Sequence, residues 1–196
     1  MLLIIDLEAT CWHRSEKRSR SNMEIIEIGA TLLTDDQINP ICINHSAPTF
    51  STFVRPVKYP ILSNYCKDLT SITQKDVDNA ECFPRALISF VSNVEAFLHN
   101  SIDDIMWGSW GMFDKNQLQK DCEFHHVRYP FGEHWNIKES YSNSRNVKKG
   151  FGVAKVLKQL ELEFEGNHHR GVDDSVMISK VVRKSLGEIY KNIRMV

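Results

Sequence analysis

Ile4-Ile5-Asp6-Leu7-Glu8-Ala9-Thr10 closes an apolar run that begins at Leu2, and it sets two carboxylates two residues apart. Leu2 to Ile5 have the aliphatic, β-branched character of a buried central strand, and residues i and i+2 of a strand share one face. Asp6 and Glu8 therefore point the same way. Like charges held at a strand end raise each other's pKa unless something positive lies between them, and a hard cation such as Mg²⁺ or Mn²⁺ suits that place. The same pair also fits an ordinary strand terminus leaving the sheet, so further carboxylates must decide between the two readings.

Working outward, Trp12 to Asn22 reads as an exposed polar loop, and Met23 to Leu33 resumes β character, interrupted by Glu24 and Glu27 and ended by Asp35-Asp36. A third strand is expected around Phe50 to Pro56, antiparallel to its neighbours. Asn64 to Asp78 reads as short helical turns. Pro84 to His99 carries Leu87, Phe90, Val91, Val94, Phe97 and Leu98 at the spacing of an amphipathic helix. Ile102 to Trp107 then reads as a strand returning parallel to the first, on the side away from the hairpin.

Asp114 follows, before a helix expected over Lys115 to His126, and with Gln117 it matches a D-x-x-Q capping box. A carboxylate at a strand-to-helix junction can cap the helix and still lie near the end of a sheet strand, where sites on α/β folds form. Tyr129 to Trp135 reads as loop, Asn136 to Tyr141 as a short turn or helix, and Gly152 to Leu160 as a helix. A last helix is expected from about Val172 to Ile193. Before it stands His168-His169-Arg170-Gly171-Val172-Asp173-Asp174.

Composition limits the function classes. With 196 residues, 42% hydrophobic and 25% charged, the chain is read as one globular domain over 1–196, having no linker or repeat to divide it. No apolar run reaches the length of a membrane span and no leader is read, so a cytoplasmic protein is expected. Five scattered cysteines without a CxxC pair argue against a disulfide framework or a zinc ribbon. A net charge of −1 gives no global pull on nucleic acid, leaving local patches such as Arg14, Lys17, Arg18 and Arg20, or Arg145, Lys148 and Lys149. Such runs also occur as solvated loops.

Asp6, Glu8, Asp114 and Asp174 supply four carboxylates from three chain regions, and His169 a group that exchanges a proton near neutral pH. Four carboxylates can hold two divalent ions about 3.5 to 4 Å apart, the arrangement that stabilises the attacking and leaving oxygens of a phosphoryl displacement. His169 would then serve as general base.

The D-x-E-x-T of Asp6, Glu8 and Thr10, the later Asp114, and the H-x-x-x-x-D of His169 and Asp174 resemble the three motifs of the DEDDh, or DnaQ-like, 3′-to-5′ exonucleases. The segments Asp6 to Trp12, Glu24 to Ala30, Leu69 to Gln74 and Glu165 to Asp174 are similar, in order, to the Eri-type and KapD-like branch. The resemblance implies an RNase H-like α/β fold with a mixed sheet of about five strands flanked by helices. It also implies two Mg²⁺ or Mn²⁺ ions and release of nucleoside 5′-monophosphates from a single-stranded RNA or DNA 3′ end, RNA preferred. It implies that Asp6 bridges the ions and that Glu8, Asp114 and Asp174 complete the ligand set. Leu7 would pack on the terminal base, and Glu8 with Thr10 would hold the terminal ribose. Trp12 and Arg170 are the further candidates for substrate contact, by stacking and by phosphate contact.

Rival readings stand beside these. Asp103, Asp104 and Asp121 compete with Asp114, and Asp173 with Asp174; the offset from His169 favours Asp174 and leaves Asp173 as helix N-cap. Ser71 stands where this branch often has Gly, which bears on a turn near the nucleotide pocket. A catalytically silent RNA- or protein-binding module of the same fold is the alternative from another class.

Overall fold

The computed structural model describes residues 1–16, 18–38, 46–148, 150–187 and 189–190. The first strand, β1 (Leu2–Ala9), is apolar on both faces because it lies in the middle of the sheet. It pairs antiparallel with β2 (Ile25–Leu33), which pairs antiparallel with β3 (Thr49–Phe53). On its other side β1 pairs parallel with β4 (Met106–Ser109), and β4 with β5 (His134–Asn136), giving the order β3-β2-β1-β4-β5. The hairpin on one side of β1 and the parallel return on the other agree with the sequence reading, as does the five-stranded mixed sheet.

Helices α1 (Asp35–Ile38), α2 (Asn64–Thr70), α3 (Gln74–Asp78) and α4 (Phe83–Leu98) precede β4. After it come α5 (Phe113–Phe124), α6 (Ile137–Ser144), α7 (Val153–Gln159) and α8 (Gly171–Ser185). Leu3, Ile5 and Leu7 face one side of the sheet and pack with Phe83, Leu87, Phe90 and Val94 of α4 and Leu118 of α5. Leu2 and Ile4 face the other, with Ile137, Val156 and Leu157 and with Met177, Ile178, Val181 and Val182 of α8. Burying one such side chain contributes about 1.5 to 3 kcal/mol, so the two layers clamp β1 from both sides.

One crossing positions everything that follows. A Cβ on Gly29 would fall 1.9 Å from the Gly171 carbonyl carbon, and one on Gly171 would fall 2.7 Å from the Asp6 carbonyl oxygen. Glycine at both positions lets the first turn of α8 lie directly on β1 and β2. Buried Glu27 completes the junction, its carboxylate accepting from the Gly171 N–H at 3.1 Å and from the Arg170 guanidinium at 3.1 and 3.2 Å.

Several local expectations are corrected. Ile102–Asp104 forms a 3-10 turn, and the strand begins only at Met106. Part of the expected loop over Tyr129 to Trp135 is the edge strand β5, three residues long with Trp135 its one inward side chain. The last helix opens at Gly171 rather than Val172, and its expected end at Ile193 lies outside the described residues, as do Lys17 and Lys149. Among the described residues no helix is long and apolar enough to cross a membrane.

Candidate active site

Asp6 and Glu8 leave the C-terminal half of β1 on the α8 face, as their two-residue spacing requires. Gly29 is the register partner of Asp6 and Glu27 that of Glu8. The Gly29–Gly171 crossing brings Asp174, in the first turn of α8, to the same place. Asp6, Glu8 and Asp174 each present a carboxylate oxygen, all within 4.8 Å of one another. Among the described residues no Lys, Arg or His forms an ion pair with any of the three.

Asp114 sits beside this trio and outside the 4.8 Å group. It lies in the first turn of α5, is 5% exposed, and accepts a hydrogen bond from the Leu7 N–H at 3.1 Å. That bond ties it to the peptide between Asp6 and Glu8. The expected capping box does not form: the N-cap is Met112, and the Gln117 carboxamide donates to the Met23 carbonyl at 2.8 Å and to Asp121 at 3.1 Å. Of the rivals, Asp121 is held by the Ile25 N–H at 2.8 Å. Asp103 pairs with Arg128 at 3.2 Å, and Asp103 and Asp104 precede β4, at the end of the strands opposite the acids.

The electrostatics follow from crowding acids out of water. Burial, and then the charges of Asp114, Asp174, Glu8 and Glu27, raise Asp6 well above the usual carboxylate range. Burial, then Asp174 and Glu27, push Glu8 up to about 8. Burial brings Asp114 to about 6 against the opposing hydrogen bonds from the Leu7 N–H, its own N–H and the Ser109 hydroxyl. Asp174 is also raised by burial, with the His169 N–H acting against it. All four shifts have one sense: burial and mutual repulsion favour the protonated carboxyls, and a cation in their midst would favour the charged ones. A small, oxygen-rich, anionic and incompletely neutralised donor set fits a hard divalent ion.

The loop before α8 is gripped by that helix's own acids. Asp174 Oδ2 accepts from the His169 N–H and Asp173 Oδ2 from the Asn167 N–H, both at 2.8 Å. Asp173 is therefore not the N-cap; Arg170 occupies that position and makes no side-chain cap bond. His169 adopts a left-handed φ of 59°, which for a non-glycine costs on the order of 1 kcal/mol or more and is tolerated where surroundings enforce it. Its exposed imidazole has no hydrogen-bond partner among the described residues, whereas His168 stacks on Phe164 with ring centroids 3.7 Å apart. Of the doublet, His169 is the ring left available beside Asp174.

The residues expected to contact substrate occupy different settings. Leu7 belongs to the α4-side core, and its N–H bonds Asp114. The Thr10 hydroxyl is 2% exposed and accepts from the Glu24 N–H at 3.0 Å, stitching β1 to β2. The Arg170 guanidinium donates to Glu27 through its Nε and one terminal nitrogen. Trp12 is half-buried, edge-on to Tyr59 at 5.0 Å, with Arg18 over both rings at 5.1 and 4.7 Å. The Glu24 carboxylate fixes that arrangement by accepting the Val57, Lys58 and Tyr59 N–H groups at 2.8 to 3.1 Å. The sequence reading assigns Glu24 and Glu27 no organising role, although Glu24 stands just before β2 and Glu27 within it, each a buried acid in an apolar stretch.

Comparison with known proteins agrees with this geometry. The family model of the RNase_T exonucleases matches residues 3–182. The "Probable 3′-5′ exonuclease KapD" of Bacillus subtilis (strain 168) is 30% identical over 183 residues, covering 93% of this chain and 82% of the relative. The "3′-5′ exoribonuclease 1" of Rattus norvegicus is 31% identical over 191 residues, covering 94% of this chain; the chain spans only 52% of that relative. Among solved structures, the nuclease domain of 3′hExo, a DEDDh family member bound to rAMP, superposes with a TM-score of 0.78 at 29% identity. That match covers 95% of this chain and 92% of the domain.

Proposed function

The chain belongs to the RNase_T exonuclease family, and from that premise we propose that it is a divalent-metal-dependent 3′-to-5′ exonuclease that removes nucleoside 5′-monophosphates from single-stranded 3′ ends, RNA before DNA. The carrying observation is the convergence of Asp6, Glu8 and Asp174 within 4.8 Å at the C-terminal end of β1, with no cationic side chain among the described residues paired to them. Similarity to exoribonucleases supports the preference for RNA. Free Cys11, Cys66, Cys82 and Cys122 are consistent with a cytoplasmic location.

Asp6, Glu8 and Asp174, with Asp114 at their side, would hold Mg²⁺ or Mn²⁺, two ions in the full complement. When bound, the ions supply Lewis-acid stabilisation of the charge that develops on the phosphodiester. The remaining chemistry belongs to the chain. His169, on a loop fixed by Asp173 and Asp174, takes the proton of the attacking water. The Leu7 peptide, anchored to Asp114, fixes the spacing between Asp6 and Glu8. Glu27 and Arg170 act behind the site by docking α8, and Trp12 offers a ring face to an unpaired base.

A 3′-terminally labelled RNA oligonucleotide incubated with the purified protein tests the reading. Monophosphate release in Mg²⁺ or Mn²⁺, abolished by EDTA, is the expected result. Binding of the RNA with no release in either metal would replace the enzyme with a silent binding module.

A further inference from the structure

A cleft of about 380 Å³ opens beside the acidic site, at the C-terminal ends of β4 and β5. Its walls include Gly111, Met112, Asn136, Lys138, Lys148 and Gly150. Ile4 is the register partner of Gly108, and Ser109 that of Asn136, so the chain leaving β4 and β5 flanks Asp6 at one and two strand spacings, each about 4.8 Å. The Ser109 hydroxyl donates to the Gly111 carbonyl at 3.1 Å. Met112, 42% exposed, lies between that carbonyl and Asp114.

The cleft is built around Lys138. A Cβ on Gly111 would approach the Lys138 Cδ at 3.8 Å, and one on Gly150 would meet its Cε at 2.8 Å. The aliphatic stem thus lies between two positions kept free of side chains. Among the described residues neither Lys138 nor Lys148 has a carboxylate partner, although Glu139 lines the same cleft, where it accepts from Asn136 at 3.1 Å. The phosphates of a substrate chain upstream of its scissile bond need positive partners.

We propose that this cleft is the binding track for the backbone phosphates immediately upstream of the scissile bond of a single-stranded nucleic acid, with Lys138 its central contact and Lys148 its rim. The proposal rests on the nuclease reading for its direction along the strand. Its test is the length dependence of substrate use. Lys138→Gln and the double variant Lys138→Gln/Lys148→Gln are compared with wild type on RNAs of two, four and ten nucleotides, with folding checked by thermal melting. KM for the ten-nucleotide RNA is expected to rise about tenfold in the double variant, the penalty vanishing as the RNA shortens to two. The log–log dependence of KM on salt is expected to flatten by about 0.7 for each phosphate that the variant no longer neutralises. Gly150→Val, which drives a side chain into the Lys138 stem, is expected to reproduce the Lys138→Gln phenotype. A penalty equal at all lengths, or none, overturns the cleft while leaving the nuclease reading intact. If wild type releases no nucleotide, RNA affinity in EDTA is measured instead. Length-dependent loss of binding in the same variants then sustains the cleft without the nuclease, and unchanged binding ends it.

Discussion

Metal-free protein is expected to lose stability as pH rises, through the acids of its own site. A carboxyl whose folded pKa lies above its unfolded value holds its proton more tightly in the folded state. Its stabilising contribution is complete below the unfolded pKa and is lost as pH climbs through the folded one. Burial and the neighbouring charges of Asp174 and Glu27 move Glu8 from 4.5 to about 8. At about 1.4 kcal/mol per tenfold change in proton affinity, this amounts to about 5 kcal/mol, of which about 4 kcal/mol falls between pH 5 and pH 9. For a domain of this size that is roughly 8 to 16 °C in Tm. His134, which burial lowers to about 4, works in the opposite sense below pH 6.5 and is common to wild type and variant. The assay is therefore thermal melting in EDTA, wild type beside Glu8→Gln, across that pH range. Glu8→Gln is expected to gain on wild type steadily as pH rises, and saturating Mn²⁺ is expected to reverse the order at pH 9. Parallel profiles for the two proteins would refute the claim that these carboxyls are crowded out of water without a cation.

His169→Ala is expected to lower kcat roughly 10²- to 10⁴-fold, the usual worth of a general base, in a single-turnover assay at pH 7.5, while His168→Ala leaves the pH–rate profile in place. Ser71 ends α2 with a left-handed φ of 59°, so Ser71→Gly is expected to stabilise the protein by about 0.5 to 1 kcal/mol in urea titration. Gly29→Ala sets a methyl within 2 Å of the α8 backbone; a loss of about 3 kcal/mol or more is expected from this overpacking, and with it Mn²⁺ affinity, read by calorimetry.

The central strand and its paired acids were legible because a period of two is written directly into Leu2 to Glu8. Asp174 was legible through its offset from His169. What the sequence hid was the destination of each hydrogen bond. Gln117 looked like a capping partner for Asp114, yet the Met23 carbonyl and Asp121 claim its carboxamide. Asp173 looked like an N-cap, but the helix could start earlier because Gly171 tolerates contact with Asp6 and Gly29. Strand β5 escaped notice since three residues with one inward side chain leave no alternation to see. Thr10 belongs to the D-x-E-x-T stretch and Arg170 follows His169, and sequence position alone does not reveal that one is buried against Glu24 and the other tied to Glu27. The Ser71 departure gained its meaning only once the backbone there proved left-handed, the conformation glycine adopts most readily.

Crystals soaked with Mn²⁺ and a nucleoside 5′-monophosphate, measured at the manganese absorption edge, locate the ions without reference to activity. Anomalous peaks bridged by the Asp6, Glu8 and Asp174 carboxylates, with the nucleotide phosphate against them, are the predicted result. Peaks elsewhere, or an acidic trio that stays protonated and empty at pH 8 in saturating Mn²⁺, would contradict it.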